Sequence, residues 1–105
     1  MKIYISLPIT GQDERRQREK ADKIKMALSK RGFEVVNPFE VYAGENPKYI
    51  DHLLADLRAL NDCDAIYLCK GWQNSKGCQL EREFAELYRK RLMFEKEEPV
   101  VYWER

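Results

Sequence analysis

The predicted fold follows from residues 65–91, which read AIYLCKGWQNSKGCQLEREFAELYRKR. The first five, Ala65–Cys69, form a short continuous apolar run of the kind that a strand buried on both faces shows. Gly71 breaks the run, and from about Lys76 to Arg91 apolar residues recur at helical spacing. A buried strand, a polar loop and an amphipathic helix in this order are typical of one unit of a parallel α/β sheet.

The same alternation of strands and helices runs through the rest of the chain. The other strands are Lys2–Ser6, Phe33–Asn37 and Pro99–Trp103, and the other helices run from about Gln12 to Arg31 and from Pro47 to about Asn61. Strands separated by helices imply right-handed crossovers and a mainly parallel sheet. We therefore predict one α/β domain over residues 1–105, small, three-layered and flavodoxin-like or Rossmann-like, with four strands in the order 2-1-3-4 and helices on both faces.

The second and third predicted helices each carry an apolar face. The second presents Ile50, Leu53, Leu54, Leu57 and Leu60, and the third presents Leu80, Phe84, Leu87 and Tyr88. Apolar stripes at this spacing pack against a core, so we expect both faces to be turned inward.

Charge and hydropathy exclude several classes of function. The 105 residues carry 19 basic and 18 acidic side chains, a net charge of +1, which gives no case for a nucleic-acid or membrane-surface partner. No apolar run approaches the ~20 residues that cross a bilayer. The N-terminus opens directly into the strand-like run Ile3-Tyr4-Ile5, unlike a signal peptide. We expect a cytoplasmic protein with neither a membrane nor a nucleic-acid partner.

Cysteine, histidine and glycine patterns predict neither a metal site nor a cofactor. Three cysteines, an odd number, favour reduced thiols over a disulfide framework. There is one histidine, His52, and no close cysteine pair with zinc-ligand spacing. A dinucleotide-binding glycine motif and a Walker-type loop are both absent from the sequence.

Two polar loops mark the expected ligand site. In a sheet of order 2-1-3-4, ligands bind beyond the carboxyl ends of the strands where the order reverses, here between the first and third strands. The walls of that crevice would be Ser6–Gly11 and Lys70–Gly77. Ser75 is placed to cap the third helix, whose exposed amides form an anion site, although capping alone would also account for this serine.

Gly77 and two carboxylates are the candidates for chemistry. A glycine in the first turn of a helix costs up to about 1 kcal/mol, so Gly77 either admits a ligand towards Glu81, one turn further on, or allows close packing on the sheet. Asp56 lies at the edge of the second apolar face, where it is either exposed beside the core or directed into a cleft. His52, four residues earlier, is placed to pair with Asp56, but an isolated surface histidine is the simpler interpretation.

Taken together, these residues resemble the nucleoside 2-deoxyribosyltransferase superfamily, and more narrowly its 2'-deoxynucleoside 5'-monophosphate N-glycosidases. The similarity is greatest to a family of short bacterial and phage proteins, a domain of unknown function placed beside those enzymes. The matching segments are Ile3–Pro8, Asn37-Pro38, Asp56–Asp64, Gly71-Trp72 and Ser75–Ala85.

The resemblance implies a role for each matching residue. Glu81 matches the nucleophilic glutamate, Asp56 the aspartate that assists departure of the base, and Tyr4 the tyrosine that orients the nucleophile. Ser75 and the Gly77 backbone match a phosphate-contacting element. Further substrate contacts are expected at Ser6, Pro8, Thr10, Gly11, Asn37, Gly71 and Trp72.

The function implied is binding of a nucleoside or nucleotide, followed by cleavage or transfer at its N-glycosidic bond. A carboxylate traps the sugar and a second carboxyl protonates the base, so the configuration is retained. These roles require burial to raise the pKa of Asp56 while Glu81 stays ionised. The alternative is a non-catalytic nucleotide-binding or sensing module, which is favoured by Gln79 and Leu80 where the hydrolases have glycine and an aromatic residue, and by the stiffer loop Leu7–Thr10.

The resemblance also implies a homodimer, in which a second subunit completes a crevice that is open at one end. Aromatic candidates for an interface or a lid are Tyr42, Tyr102 and Trp103. For Tyr102 and Trp103, packing of the last strand is the simpler interpretation.

Overall fold

The computed structural model describes residues 1–96 and 101–103, the last three by their backbone. Its strands are β1 (Lys2–Ser6), β2 (Glu34–Val36), β3 (Ala65–Leu68), β4 (Arg91–Glu95) and β5 (Val101–Trp103). Its helices are α1 (Glu14–Lys30), α2 (Tyr49–Asn61) and α3 (Lys76–Leu87), with single 3-10 turns at Pro38–Glu40 and Trp72–Asn74. None of the helices in the described ranges is long and apolar enough to cross a membrane.

The strands form one sheet in the order β2-β1-β3-β4-β5. The first four are parallel, with Ile3 of β1 opposite Val35 of β2 and Ala65 of β3, and β5 joins β4 antiparallel. The predicted fold class is thus confirmed, since four parallel strands lie in the order 2-1-3-4 with three connecting helices.

The segment predicted as the fourth strand, Pro99–Trp103, does form a strand over its described residues Val101–Trp103, but that strand is the fifth one in the sheet. The fourth parallel strand is β4, which the sequence pattern placed at the end of the third helix and in the following loop, whereas Val101–Trp103 forms an added antiparallel edge. Pro99, the predicted start, lies outside the described residues. Helix α3 ends early because Arg89 adopts a left-handed conformation with φ of 58°, and the Lys90 amide bonds back to the Ala85 carbonyl. Glycine is the usual residue at this kind of helix end, so the arginine gave no indication in the sequence that α3 ends here.

Strand alternation divides the core into two layers. Ile3, Ile5 and Tyr67 pack under α1, which contributes Ala21 and Leu28. On the other face lie side chains that pack under α2 and α3, namely Tyr4, Leu60, Ile66, Leu68, Ala85 and Leu92. Because alternate residues of a strand share a face, Tyr4 and Ser6 both point towards α2 and α3. This alternation places the hydroxyl groups of Tyr4 and Ser6 beside α3.

The predicted apolar faces of α2 and α3 are buried only in part. Leu60 is fully buried, whereas Ile50, Leu54, Leu80, Leu87 and Tyr88 are exposed, contrary to the prediction that these faces turn inward. Two helices share one face of a narrow sheet, so each covers it with a thin stripe, and the rest of each apolar face stays in solvent. Helical spacing identifies a stripe but does not say how much of it the sheet can cover.

Candidate active site

A cavity of about 820 Å³ opens at the carboxyl ends of β1 and β3. Residues from both predicted walls line it, among them Pro8 and Thr10 on one side and Gly71 and Ser75 on the other. A smaller hollow of about 530 Å³ lies near Met1 and the start of β4, at the edge of the sheet where parallel strands begin. Open α/β sheets bind ligands at the carboxyl edge, so the larger cavity is the candidate site.

Glu81 of α3 is fixed at the floor of this cavity. Its side chain is 6% exposed. The Tyr4 hydroxyl donates to Glu81 Oε2 at 2.9 Å, and Ser6 Oγ donates to Oε1 at 2.7 Å. Both donors come from β1, 75 or more residues away in sequence. The carboxylate is therefore held from both oxygens, in one orientation, by the strand on which α3 packs.

Asp56 of α2 is half-buried and lines the same cavity, so of the two interpretations the cleft is the correct one. The Tyr4 side chain lies close enough to Asp56 to work against the rise in the pKa of that carboxyl. The Tyr4 hydroxyl thus lies between two carboxyl groups, one from each helix. Burial raises the pKa of Tyr4 well above its ordinary value, and the charges of Glu81 and Asp56 add to the effect, so the phenol stays protonated and serves as a donor.

Burial raises the pKa of both carboxyl groups. The pKa of Glu81 rises to about 7, with the hydrogen bond from Ser6 opposing the rise, the Asp56 charge adding to it and the bond from Tyr4 opposing it. The pKa of Asp56 rises to about 6, and the nearby His52 works against the rise. We expected burial to raise the pKa of Asp56 alone. The pKa of Glu81 is raised as well, because Glu81 lies deeper than Asp56 and loses more hydration. Two neighbouring carboxyls with pKa values near neutrality share protons, as acid–base pairs in active sites do.

The amino end of α3 forms a second part of the site. Ser75 caps the helix, accepting a hydrogen bond from the Cys78 amide at 3.3 Å, and it lines the cavity. A methyl group added to Gly77 would meet the Tyr49 hydroxyl at 3.7 Å, an ordinary contact, and no atom of the sheet within 4 Å. Close packing on the sheet therefore does not account for Gly77, which leaves the helix end open to the cavity.

The structure brings most of the predicted site residues together. Those lining the cavity are Tyr4, Pro8, Thr10, Asp56, Gly71, Ser75, Gly77 and Glu81, with Ser6 bound directly to Glu81. Four predicted substrate contacts lie outside the lining, namely Ser6, Gly11, Asn37 and Trp72. Asn37 is buried and accepts the Phe39 amide while donating to Asp22, and Trp72 packs on Phe94 and under the Arg82 guanidinium. These contacts of Asn37 and Trp72 hold the turns that border the cavity.

Several lining residues were not predicted from the sequence. They include Glu14, Arg18, Phe39, Tyr49 and Cys78, and His52, which the sequence placed on the surface, lines the cavity while remaining exposed. Phe39 follows the carboxyl end of β2 closely, as the two predicted walls follow β1 and β3. This position after β2 could have identified Phe39 as a lining residue from the sequence. Among the described residues, no group of three or more histidine, cysteine or acidic side chains is placed to hold a metal ion.

Comparison with known proteins agrees with this geometry at the level of the fold. A family model described as a domain of unknown function, DUF4406, matches residues 1–94. The chain belongs to the DUF4406 family. The resemblance to a family of short proteins described in this way is thereby confirmed. No curated protein matches the chain.

Among solved structures, the DUF4406 chain is similar to the Clostridium botulinum CMP N-glycosidase BcmB. The TM-score is 0.62 at 20% sequence identity, and the match covers 95% of this chain and 75% of that one. At this identity the likeness shows a shared fold.

Proposed function

We propose that the protein binds a nucleoside 5'-monophosphate in the cavity and cleaves or transfers at its N-glycosidic bond, with retention of configuration. The observation that carries the proposal is the buried Glu81 carboxylate, held by Tyr4 and Ser6 on the floor of a cavity that also contains Asp56. The fold shared with BcmB, which is a CMP N-glycosidase, supports it.

The reaction takes two steps, and Glu81 and Asp56 supply the nucleophile and the proton that these steps require. Glu81 attacks the anomeric carbon while the carbon–nitrogen bond breaks, its electron pair leaves with the base, and Asp56 gives its proton to that base. The sugar is then an ester of Glu81. Water, or a second base, attacks the same carbon as Asp56 accepts its proton, and the Glu81 carboxylate is released. Water as the acceptor gives hydrolysis and a base gives transfer.

The reactive form carries one proton on the pair, with Asp56 protonated and Glu81 ionised. In the free protein burial raises the pKa of Glu81 to about 7, so part of the population holds its proton there. Positive charge develops on the sugar in the transition state and favours the ionised carboxylate, while negative charge on the leaving base favours a protonated Asp56. The cavity thereby stabilises the transition state, in which these charges develop, more than it stabilises the bound substrate.

The amino end of α3 is the proposed phosphate subsite. Backbone amides at a helix start attract anions, and the open position at Gly77 lets a phosphate approach them beside the Ser75 hydroxyl. A 5'-phosphate held there would fix the sugar over Glu81, one turn further along the same helix.

We further propose that the protein is a homodimer. The exposed side chains of α2 and α3 include Ile50, Leu54, Leu87 and Tyr88, and apolar side chains grouped on one surface are typical of protein–protein interfaces. Both helices also carry a catalytic carboxyl, so a second copy on these helices would lie close to the site and enclose its open end. A second copy of the chain is thus proposed to cover the exposed apolar side chains of α2 and α3.

The proposed activity is tested by the release of free base from a panel of nucleosides and nucleoside 5'-monophosphates. The proteins compared are the wild type, Glu81→Ala and the control Glu83→Ala, which changes an exposed glutamate on the same helix. We expect release by the wild type and the control, and none by Glu81→Ala. No release from any compound, together with a thermal shift on nucleotide addition, would contradict the enzyme and favour a nucleotide-binding module.

A further inference from the structure

One side-chain cluster on the cavity wall has no part in the proposed bond cleavage. It consists of Glu14 and Arg18 of α1 and Phe39, which follows β2, and all three residues line the cavity. The Arg18 guanidinium lies over the Phe39 ring, with its carbon 4.6 Å from the ring centroid. Its Nε donates to Glu14 at 2.9 Å. The guanidinium is therefore held both at its Nε and against one face.

The ring that supports Arg18 is itself fixed. The Phe39 amide donates to Asn37 Oδ1 at 2.9 Å, the Asn37 side-chain amide donates to Asp22 of α1 at 3.1 Å, and Phe39 packs against the core layer under α1. A cation stacked on an anchored aromatic ring loses little additional freedom when it binds a ligand. This arrangement pre-organises the Arg18 fork.

The same helix provides a comparison. Arg15 pairs with Glu19 through the same Nε contact and the same four-residue spacing, and both pairs are exposed, but only Arg18 and Glu14 line the cavity. A helix-stabilising ion pair accounts for Arg15 fully. It does not account for an arginine that lines the cavity and stacks on an anchored ring.

The chemistry of the fork limits the group it can recognise. With Nε committed to Glu14, the two terminal nitrogens offer parallel N–H donors, which match two adjacent acceptors. Cytosine presents such a pair as O2 and N3, and guanine as O6 and N7. Uracil and thymine place an N3–H donor beside O2, and adenine places its amino group beside N7, so each of these offers a donor where an acceptor is needed.

We propose that Arg18, backed by Phe39, is a specificity-determining residue that selects a nucleotide base with two adjacent hydrogen-bond acceptors. The inference rests on the proposed function, because it assigns the base subsite of the same cavity. A base bound to Arg18 would accumulate negative charge beside the guanidinium as the bond breaks, so the contact would strengthen in the transition state.

The test compares kcat/KM for CMP, GMP, UMP and AMP in the wild type, Arg18→Gln, Arg18→Lys and the control Arg15→Gln. We expect the wild type to prefer CMP or GMP, and the preferred one identifies the base as a pyrimidine or a purine. Arg18→Gln should lower kcat/KM for that nucleotide roughly 10- to 100-fold, the range of one bidentate contact, and change UMP and AMP by less than about threefold. Lysine should not restore the preference, and Arg15→Gln should leave it unchanged.

Two results would overturn the assignment. One is a wild type that prefers UMP or AMP, and the other is an Arg18→Gln variant that lowers all four values equally or none of them. Calorimetric affinities for the same four nucleotides give the same ratios without turnover. A protein that binds CMP or GMP selectively through Arg18 but releases no base would refute the proposed activity and leave the base subsite standing.

Discussion

At the scale of single residues, the account depends on where the proton of the Glu81–Asp56 pair resides. Burial raises the pKa of Glu81 to about 7, and the hydrogen bonds from Ser6 and Tyr4 oppose that rise. The nucleophile ionises as the pH increases through this value. Asp56, whose pKa is about 6, loses its proton at lower pH than Glu81, so the form with one proton on the pair is most populated between about pH 6 and pH 7. The rate of base release should therefore be highest in this interval and decline on either side of it.

Removal of either hydrogen-bond donor should raise the pKa of Glu81, the higher of the two values, and so move the alkaline limb of this profile upwards. Ser6→Ala and Tyr4→Phe each delete a bond that stabilises the ionised carboxylate, and Ser6 has the larger effect on the Glu81 pKa. We expect Ser6→Ala to shift the limb further than Tyr4→Phe, and kcat to fall roughly 10- to 1,000-fold in either variant. The measurement is kcat/KM against pH. A limb that stays in place or moves to lower pH would contradict this role of Ser6 and Tyr4.

The same raised pKa predicts how stability depends on pH. Between the ordinary value of 4.5 and about 7, the folded protein holds the Glu81 proton while the unfolded chain has released it, so the free energy of unfolding falls as the pH rises across this window. Glu81→Gln has no charge to bury and should lack this loss, becoming more stable than the wild type at pH 8 by at most about 3 kcal/mol.

Urea denaturation of both proteins at pH 4.5 and pH 8 measures the difference. Glu83→Gln, which changes an exposed side chain on the same helix, is the control and should follow the wild type. An equal difference between Glu81→Gln and the wild type at the two pH values would contradict a raised pKa.

The sequence predicted the residues of the site better than their contacts. Glu81, Asp56 and Tyr4 were assigned through the resemblance, and the structure places all three in one cavity. The expected contact of Ser6 with substrate stays a prediction, whereas its hydrogen bond to Glu81, which spans 75 residues and is set by strand alternation on β1, was not predicted. Sequence spacing within one element could not reveal a pairing between two elements.

At the scale of elements, the start of α3 has two roles that one substitution separates. Ser75→Ala removes the cap and should lower the free energy of unfolding by about 1 kcal/mol. If the helix start also binds a 5'-phosphate, the variant should raise KM for a nucleoside 5'-monophosphate several-fold and leave the corresponding nucleoside unaffected. Steady-state kinetics with both compounds test this, and an equal change for both would show that Ser75 only caps.

The element boundaries show what local patterns leave out. Strands β1 to β3 and all three helices were predicted to within a few residues, because alternation and helical spacing are local properties. Strand β4 was missed because α3 already ends at Leu87, two residues before Arg89, whose left-handed conformation is imposed by the turn and not indicated by its residue type. The predicted strand order is still correct. Val101–Trp103, the segment predicted as the fourth strand, pairs with β4 and so lies at the same edge of the sheet.

At the scale of the whole molecule, the exposed apolar side chains of α2 and α3 predict the oligomeric state. Leu54 is 58% exposed and Leu87 is 77% exposed. The double variant Leu54→Lys/Leu87→Lys should convert a dimer into a monomer in sedimentation-velocity experiments. Met26→Lys is the matched control, since Met26 is 61% exposed on α1, across the sheet, and this variant should stay dimeric. A wild type that sediments as a monomer would contradict the proposal.

The configuration of the product tests whether Glu81 is a covalent nucleophile. When base release is run in aqueous methanol, a sugar bound to Glu81 is transferred to methanol, and the methyl glycoside formed cannot change its anomeric configuration afterwards. Proton NMR should show the β-anomer, the configuration of the starting nucleotide, because two displacements at one carbon restore it. The α-anomer would mean a single displacement by solvent, and Glu81 would then not be the covalent nucleophile.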